Sequence, residues 1–193
     1  MAFHLMVNAT LIEGSRESGG PTVYQQQVNV IHGLPLLAVL EWGFIYLPII
    51  FHAVYGVYVA VSGQPNLSKY YYSRNIYYVL QRASAYLLIA FILFHVLSLK
   101  YGVFGGALAF DPNRATETVQ DHMRYSPLIG WLVYPLGLLA SSYHLANGVW
   151  TAAITWGLTI TDRAQRQFGV VCAGIFVLTF GFGMMALIGT AIH

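Results

Sequence analysis

Charged side chains are scarce in this sequence of 193 residues, of which Asp, Glu, Lys and Arg together make up 8%. A soluble domain carries roughly a quarter charged residues, so this chain has too few to cover a surface in water. Its hydrophobic fraction is 57% and its mean hydropathy is +0.60. These values exclude a soluble globular protein and predict one that crosses a lipid bilayer several times.

Cysteine is nearly absent, since Cys172 is the only one in the chain. A single cysteine excludes a disulfide framework within the chain. It also excludes the Cys-x-x-Cys-His motif, so no haem is attached covalently in that way. Cys172 lies in an apolar run, and we expect it to pack in the core.

Four apolar segments are long enough to span a membrane, which takes about 20 residues. They cover about residues 40–61, 78–100, 127–158 and 168–192 of a single domain, 1–193. The backbone must satisfy its own hydrogen bonds in lipid, so the predicted fold is an all-α membrane bundle. Pro48 and Pro135 lie inside spans and predict kinks. Residues 1–12 form an apolar stub that is too short to span a membrane, and residues 13–32 are predicted to be amphipathic or loop-like.

Basic residues give a weak indication of orientation. The loops after the first and third spans hold Lys69, Arg74, Arg82, Arg163 and Arg166, against four basic residues on the other side. Because cytoplasmic loops carry an excess of Lys and Arg, this side is predicted to be cytoplasmic. The C-terminus then lies outside.

Histidines occur inside the predicted spans, where an ionisable group is costly and indicates function by default. Of the seven histidines, His52, His95 and His144 each lie in a different span, and His4 lies in the apolar stub. The alternative is a neutral imidazole bonded to a Ser, Thr or carbonyl of a neighbouring helix. We expect His122, in a polar loop, and the terminal His193 to be solvated. His32 lies at the edge of the first span.

The depths of these histidines predict two pairs. His52 lies twelve residues after Leu40, about 18 Å into its span, and His144 is near the middle of the third span. His95 lies five residues before Lys100, about 8 Å from its end of the second span. His4 should also be shallow. The expected pairs are therefore His52 with His144 and His4 with His95.

Two separated pairs of histidines suit haem, whose iron takes two axial ligands. With both positions filled, such a haem carries electrons and does not bind gases. Zinc is the competing metal, but it takes three or four ligands close together. Gly56 and Gly148 each lie one helical turn after a histidine and could make room for the porphyrin, or simply let helices pack closely. Arg74 and Arg82 could meet haem propionates, or act only as positive-inside anchors.

These residues resemble those of a known family, the cytochrome b membrane-anchor subunits of bacterial succinate:quinone oxidoreductases, in the single-subunit, two-haem form. The stretches that carry the resemblance are HLMVN (4–8), LEWGFIYLPIIFHAVYGVYVA (40–60), YYSRNIYYVLQR (71–82), FHV (94–96), YHLANGVWTAAITWG (143–157) and DRAQR (162–166). They cover nearly the whole chain in the family's order.

The resemblance implies two b haems, a cytoplasmic-side one held by His52 and His144 and an outer one held by His4 and His95. It implies a subunit of succinate dehydrogenase or fumarate reductase in the bacterial cytoplasmic membrane, where it anchors a flavoprotein and an iron–sulfur protein. Electrons would pass between the iron–sulfur subunit and a quinone, expected to be menaquinone, while succinate oxidation belongs to the flavoprotein. Membrane lipid is the surrounding medium, and no nucleic-acid partner is expected.

The sequence departs from the family at its beginning. The family has five spanning helices, with a haem ligand toward the end of the first, but here only three residues precede His4. The predicted bundle therefore has four complete spanning helices and a truncated first helix. We expect either a misassigned start or a shortened chain, with the outer haem held less firmly than the inner one.

A quinone needs an apolar slot, hydrogen-bond donors and a proton route. At the outer edge of the first span, Glu41, His32 and Trp42 are the candidates. Glu41 could instead stabilise a helix N-terminus.

Two other functions are compatible with the histidines alone. One is a freestanding transmembrane di-haem b protein without soluble partners. The other is a transporter that uses intramembrane histidines as proton relays. A transporter would show no haem absorbance, and unwound helices or a clear internal repeat are not evident in the sequence.

Overall fold

A computed structural model describes residues 1–13, 22–63, 69 and 72–192. Over these residues the chain contains α-helices joined by turns and short 3₁₀ segments, and no strand. The α-helical segments are α1 (Ala2–Ala9), α2 (Val23–His32), α3 (Leu37–Ser62), α4 (Ser73–Lys100), α5 (Ala115–Arg124), α6 (Ile129–Thr155) and α7 (Asp162–Ile192). The predicted all-α membrane bundle is confirmed.

Three of the described helices, α3, α4 and α7, are each long and apolar enough to cross a membrane. A fourth candidate span combines residues 112–124, which contain α5, with α6, and the two parts meet at a bend of 94°. The bend follows Arg124, and Pro127 comes soon after it. Because the residue before a proline disfavours the helical conformation, the chain turns here rather than continuing one long helix.

Several helix limits differ from the predicted spans. Helix α7 begins at Asp162, six residues before the predicted start, because charged residues lower hydropathy without ending a helix. The Thr161 hydroxyl caps it by accepting a bond from the Ala164 amide at 3.2 Å. Helix α6 ends at Thr155, three residues before the predicted limit. Gly157 follows with φ +73°, the left-handed conformation that commonly ends a helix.

Each predicted proline kink is accompanied by a wider π-helical turn. Trp42–Tyr46 forms one just before Pro48, and Ile129–Val133 forms another just before Pro135. A proline has no amide proton and its ring clashes with the carbonyl four residues earlier. A π-turn widens the helix at this point and so accommodates the proline without breaking the span.

Helix α7 packs against α6 and α1, and α6 packs in turn against α4. Cys172 is buried in α7, as expected. Helix α3 lies at the edge of the bundle, and none of its residues is buried. Its exposed side chains are mainly large and apolar, which suits a helix whose solvent is lipid.

A small cap covers one end of the bundle, where the sequence predicted an amphipathic or loop-like segment before the first span and a polar loop before the third. Residues 13–32 contain α2, and the polar connection before α6 contains α5. Both helices contribute apolar residues to one cluster with α1 and the segment after it: Val7, Leu11, Tyr24, Val28, Ala115 and Val119. The loop prediction was wrong because α5 is mostly polar, and only its face with Ala115 and Val119, four residues apart, is buried.

Candidate functional site

The four intramembrane histidines lie in two pairs. The rings of His4 and His95 have centroids 5.9 Å apart and planes at 87°. The rings of His52 and His144 have centroids 6.1 Å apart and planes at 85°. These are the pairs that the depth of each residue predicted, and each pair joins two different helices.

The spacing within each pair fits one metal ion between two imidazoles. A histidine nitrogen lies about 2 Å from a bound first-row metal, and the ring centroid lies about 1 Å behind it. Two rings on opposite sides of one ion therefore have centroids roughly 6 Å apart. Among residues 1–13, 22–63, 69 and 72–192, no group of three or more His, Cys, Asp or Glu side chains could hold a metal ion. Each pair thus offers two protein ligands, which fits haem iron better than the three or four that zinc takes.

The two pairs lie in separate layers along α4. Ser84, which contacts His144, precedes His95 by eleven residues, or about 16 Å along a helix. The His4–His95 layer is therefore near the end of α4 at Lys100. The His52–His144 layer is deeper in the bundle.

The hydrogen bonds of His144 define its tautomer. Its Nδ1 lies 3.2 Å from the Ser84 Oγ, and the Ser84 hydroxyl donates at 3.0 Å to the carbonyl of Gln81. A carbonyl only accepts, so the Ser84 proton points to Gln81 and its oxygen is left to accept from Nδ1–H. Nε2 of His144 then keeps the lone pair that a metal needs.

Nδ1 of His95 is also occupied, by the Tyr134 hydroxyl at 3.1 Å. His4 sits differently, because the Asn8 side-chain nitrogen donates at 2.8 Å to the His4 carbonyl and lies 3.5 Å from its Nε2. An amide nitrogen only donates, so in this long contact Nε2 of His4 is the acceptor and its lone pair is directed at Asn8. His52 is exposed on α3, and its ring faces His144.

Sequence reasoning missed three residues near these pairs, of which two bond a paired histidine directly and the third does so through Tyr134. Ser84 and Tyr134 bond the paired histidines, and His122, expected to be solvated, has no exposed surface. The Nε2 of His122 lies 2.9 Å from the Tyr134 hydroxyl. The prediction for His122 was wrong because the polar segment around it is a helix folded over the bundle end. The prediction for His193 lies outside the described residues.

The two glycines predicted to make room for a porphyrin have different surroundings. A Cβ added at Gly56 would meet no atom within 4 Å, so that side of α3 is open. A Cβ at Gly148 would lie 3.4 Å from the Gln81 amide nitrogen. Gln81 donates at 3.2 Å to the His144 carbonyl and accepts from Asn147 at 2.8 Å. An added Cβ would therefore make an ordinary contact with Gln81, and both roles predicted for Gly148 stay predictions.

The two arginines predicted to meet propionates each have protein partners. Arg74 donates to Asp162 at 2.9 Å and to Gln165 at 3.0 Å, which ties α4 to α7 at the bundle surface. Arg82 donates to the carbonyl of Gly63 at 3.0 Å and lies over the ring of Tyr78. Arg82 is two residues from Ser84, and so lies closer along α4 to the His52–His144 layer than Arg74 does.

The predicted quinone residues are only partly brought together. Glu41 accepts two bonds of 2.7 Å from the Lys100 ammonium, which joins α3 to α4 at the end where His95 lies. Trp42 follows Glu41 and contacts the ring of Tyr46. His32 is exposed at the end of α2, and within the described part of the chain no hydrogen bond or ring contact links it to Glu41 or Trp42.

Comparison with known proteins gives one full-length similarity. The chain is 33% identical over 186 residues to the succinate dehydrogenase cytochrome b558 subunit of Bacillus subtilis (strain 168), covering 95% of this chain and 85% of that protein. No family model and no solved structure matches the chain.

Proposed function

Because the chain belongs to the family of succinate dehydrogenase cytochrome b558 subunits, we propose that it is the di-haem membrane anchor of a succinate:quinone oxidoreductase. It would dock a flavoprotein and an iron–sulfur subunit, and carry electrons between the iron–sulfur subunit and a membrane quinone. Succinate chemistry would belong to the flavoprotein.

The observation that carries this proposal is the presence of two histidine pairs at metal-bridging distance in two layers. Ring separations of 5.9 and 6.1 Å match two axial ligands on one iron in each layer. A transporter that relays protons through histidines would not need both pairs at this spacing. His52 and His144 would hold one haem b, and His4 and His95 the other.

When bound, haem b would supply a one-electron carrier, held by the paired histidines of the chain. The residues of the chain prepare the ligands for it. Ser84 holds His144 with Nε2 directed away from its hydrogen bond, and Tyr134 occupies Nδ1 of His95. Gly56 leaves the face of α3 one turn below His52 open. The ligands are thus oriented by their neighbours before any metal binds.

The end of the bundle with Arg74 and Arg82 is proposed to face the cytoplasm of a bacterium and the soluble subunits. The Arg74–Asp162 ion pair there leaves side chains that are 58% and 72% exposed, available to a docking partner. Basic residues on this side agree with the positive-inside rule. Helix α7 would then end on the outer side of the inner membrane.

The quinone, proposed to be menaquinone, would bind at the opposite end, near the His4–His95 layer. The Glu41 carboxylate, at the membrane edge, forms an ion pair with the Lys100 ammonium. A carboxylate–ammonium pair at this depth offers both a hydrogen-bond donor and a proton acceptor to a quinone carbonyl. Trp42, the neighbour of Glu41, belongs to the proposed site, and His32, the third candidate, makes no hydrogen bond or ring contact with either of them among the described residues.

The test is to produce the tagged chain in cells that also produce the flavoprotein and iron–sulfur subunits, and to purify it from their membranes. The anchor proposal predicts that both subunits co-purify, and that succinate reduces b-type haem in the complex. A complex that binds haem but retains neither subunit would indicate the freestanding cytochrome. A purified chain without b-type absorbance would refute the haem proposal itself and favour the transporter.

A further inference from the structure

A buried histidine remains that the proposed function does not use. His122 lies on α5, outside the two pairs, and its side chain is fully buried. Its ring lies 5.5 Å from that of Tyr134, which also contacts His95. Burying a polar ring without bonds is costly, so the partners of both ring nitrogens are informative.

The contacts form a continuous chain that ends at His95. The carbonyl of Leu108 lies 3.2 Å from Nδ1 of His122, and Nε2 of His122 lies 2.9 Å from the Tyr134 hydroxyl. The same hydroxyl lies 3.1 Å from Nδ1 of His95. At the end of this chain of contacts away from His95, the Ser98 hydroxyl donates to the Leu108 carbonyl at 3.1 Å. The Ser98 oxygen lies 3.5 Å from Nδ1 of His122.

The chemistry at the far end fixes the direction of every bond. The Leu108 carbonyl can only accept, so Nδ1 of His122 carries the proton. In a neutral imidazole Nε2 is then an acceptor, and the Tyr134 hydroxyl must donate to it. The Tyr134 oxygen is left to accept from His95, so Nδ1 of His95 carries a proton. Nε2 of His95 is thereby left as the metal-binding nitrogen.

We propose that His122 and Tyr134 are positioning residues for the haem held by the His4–His95 pair. They lock His95 in the Nδ1–H tautomer and, by accepting its proton in a hydrogen bond, make its Nε2 a stronger donor to iron. This inference rests on the proposed function, since it concerns the haem that the pair would hold. In the other pair, Nδ1 of His144 contacts only the Ser84 hydroxyl, so we expect the two haems to differ in reduction potential.

The electronic consequence has a definite sign. A ligand that donates more strongly favours the ferric over the ferrous state, which lowers the reduction potential. Removing the acceptor from Nδ1–H of His95 should therefore raise the midpoint potential of that haem. We expect a change of about tenfold in the oxidised-to-reduced ratio, in line with partners one layer beyond a metal ligand, which equals about 59 mV for a one-electron couple.

Three variants separate the role of the chain of bonds from simple packing. Tyr134→Phe removes the hydroxyl with little change in volume. His122→Ala leaves the Tyr134 hydroxyl without its acceptor, so its proton can turn toward His95 and compete with the correct tautomer. His122→Gln retains an acceptor for Tyr134 and a donor for Leu108. Tyr125→Phe is the matched control, because Tyr125 is 60% exposed.

The purified complex is studied by optical redox titration, with haem content and the ferric electron-paramagnetic-resonance spectrum as independent readouts. His52→Ala identifies which component belongs to which pair. The inference predicts a higher potential in Tyr134→Phe and a raised potential or lower occupancy in His122→Ala, both for the His4–His95 component alone. His122→Gln and Tyr125→Phe should resemble the wild type.

Unchanged potential, occupancy and resonance spectrum in both Tyr134→Phe and His122→Ala would overturn the inference, as would equal changes in both haems. Failure of His122→Gln to restore the wild-type potential would also count against it, because the bond direction would then not be the cause. A wild-type complex without b-type haem would instead refute the proposed function.

Discussion

Gly189 on α7 is the position where a single added methyl group should most directly disturb the seating of His4. A Cβ built on Gly189 would lie 2.5 Å from the amide nitrogen of Ile12, 2.5 Å from the carbonyl carbon of Leu11 and 2.8 Å from its oxygen. These are backbone atoms, so no rotamer change can relieve the contact. Ordinary contacts begin near 3.4 Å, so the segment after α1 must move by roughly 1 Å.

Such a displacement has a predictable cost. Overpacking of a well-packed contact costs about 1–3 kcal/mol, and here it opposes the packing of α1 against α7. Because α1 carries His4, Gly189→Ala should lower occupancy of the His4–His95 haem. The His52–His144 haem should keep its content and potential, because neither of its ligands lies on α1 or α7.

Haem content by pyridine haemochrome and a redox titration measure both effects. Gly181→Ala is the matched control, because it lies on the same helix and an added Cβ would meet no atom within 4 Å. Both substitutions stabilise the helix by up to about 1 kcal/mol, because alanine has a higher helix propensity than glycine. The two variants therefore differ only in the steric contact of the added methyl group. A Gly189→Ala protein with two haems of wild-type content and potential would refute the reasoning.

Three further predictions follow from individual contacts. Ser84→Ala removes the acceptor for Nδ1–H of His144, and should raise the potential of that haem alone in a redox titration; an unchanged potential would contradict the tautomer assignment. Burial raises the pKa of Tyr24 to about 12, from an unfolded value near 10. Because the unfolded protein loses this proton first, the free energy of unfolding should fall by up to about 3 kcal/mol as the pH rises from 10 to 12. Thermal melts should show a loss over this pH range, and Tyr24→Phe should reduce it by that amount; an equal loss in the variant would refute the assignment. Glu41→Gln breaks a partly exposed ion pair with Lys100, and should cost less than about 1 kcal/mol of stability while lowering quinone reduction by succinate; full activity would remove Glu41 from the proposed quinone site.

The pairing of the histidines was predictable because the rise per residue of a helix is constant. Counting residues from the ends of spans placed His95 shallow and His52 deep, and the structure brings each beside the expected partner. The all-α membrane class followed in the same way from hydropathy and the need for closed backbone hydrogen bonds.

The cap over the bundle was not predictable from hydropathy. Helix α5 is polar on most of its surface, and the 94° bend after it comes from local backbone preferences and packing rather than from composition. The contact between His122 and Tyr134 crosses that bend, so their separation of twelve positions in the sequence does not suggest that they touch. The role of Ser84 could not be predicted from the sequence either, because serines are common where membrane helices pack closely.

The ends of the spans show a related limit. Charged residues at the start of α7 ended the predicted span while the helix continued through them. The role of Gly148 was ambiguous for a similar reason, because a small residue serves both a cofactor and a close helix contact.

The most direct test of the account is a haem count with redox titration in the wild type and in four variants, each with one paired histidine changed to alanine. The wild type should contain two b haems per chain with separate potentials. His52→Ala and His144→Ala should lose the same component, and His4→Ala and His95→Ala should lose the other. Absence of b-type haem, or two members of one pair affecting different components, would contradict the account.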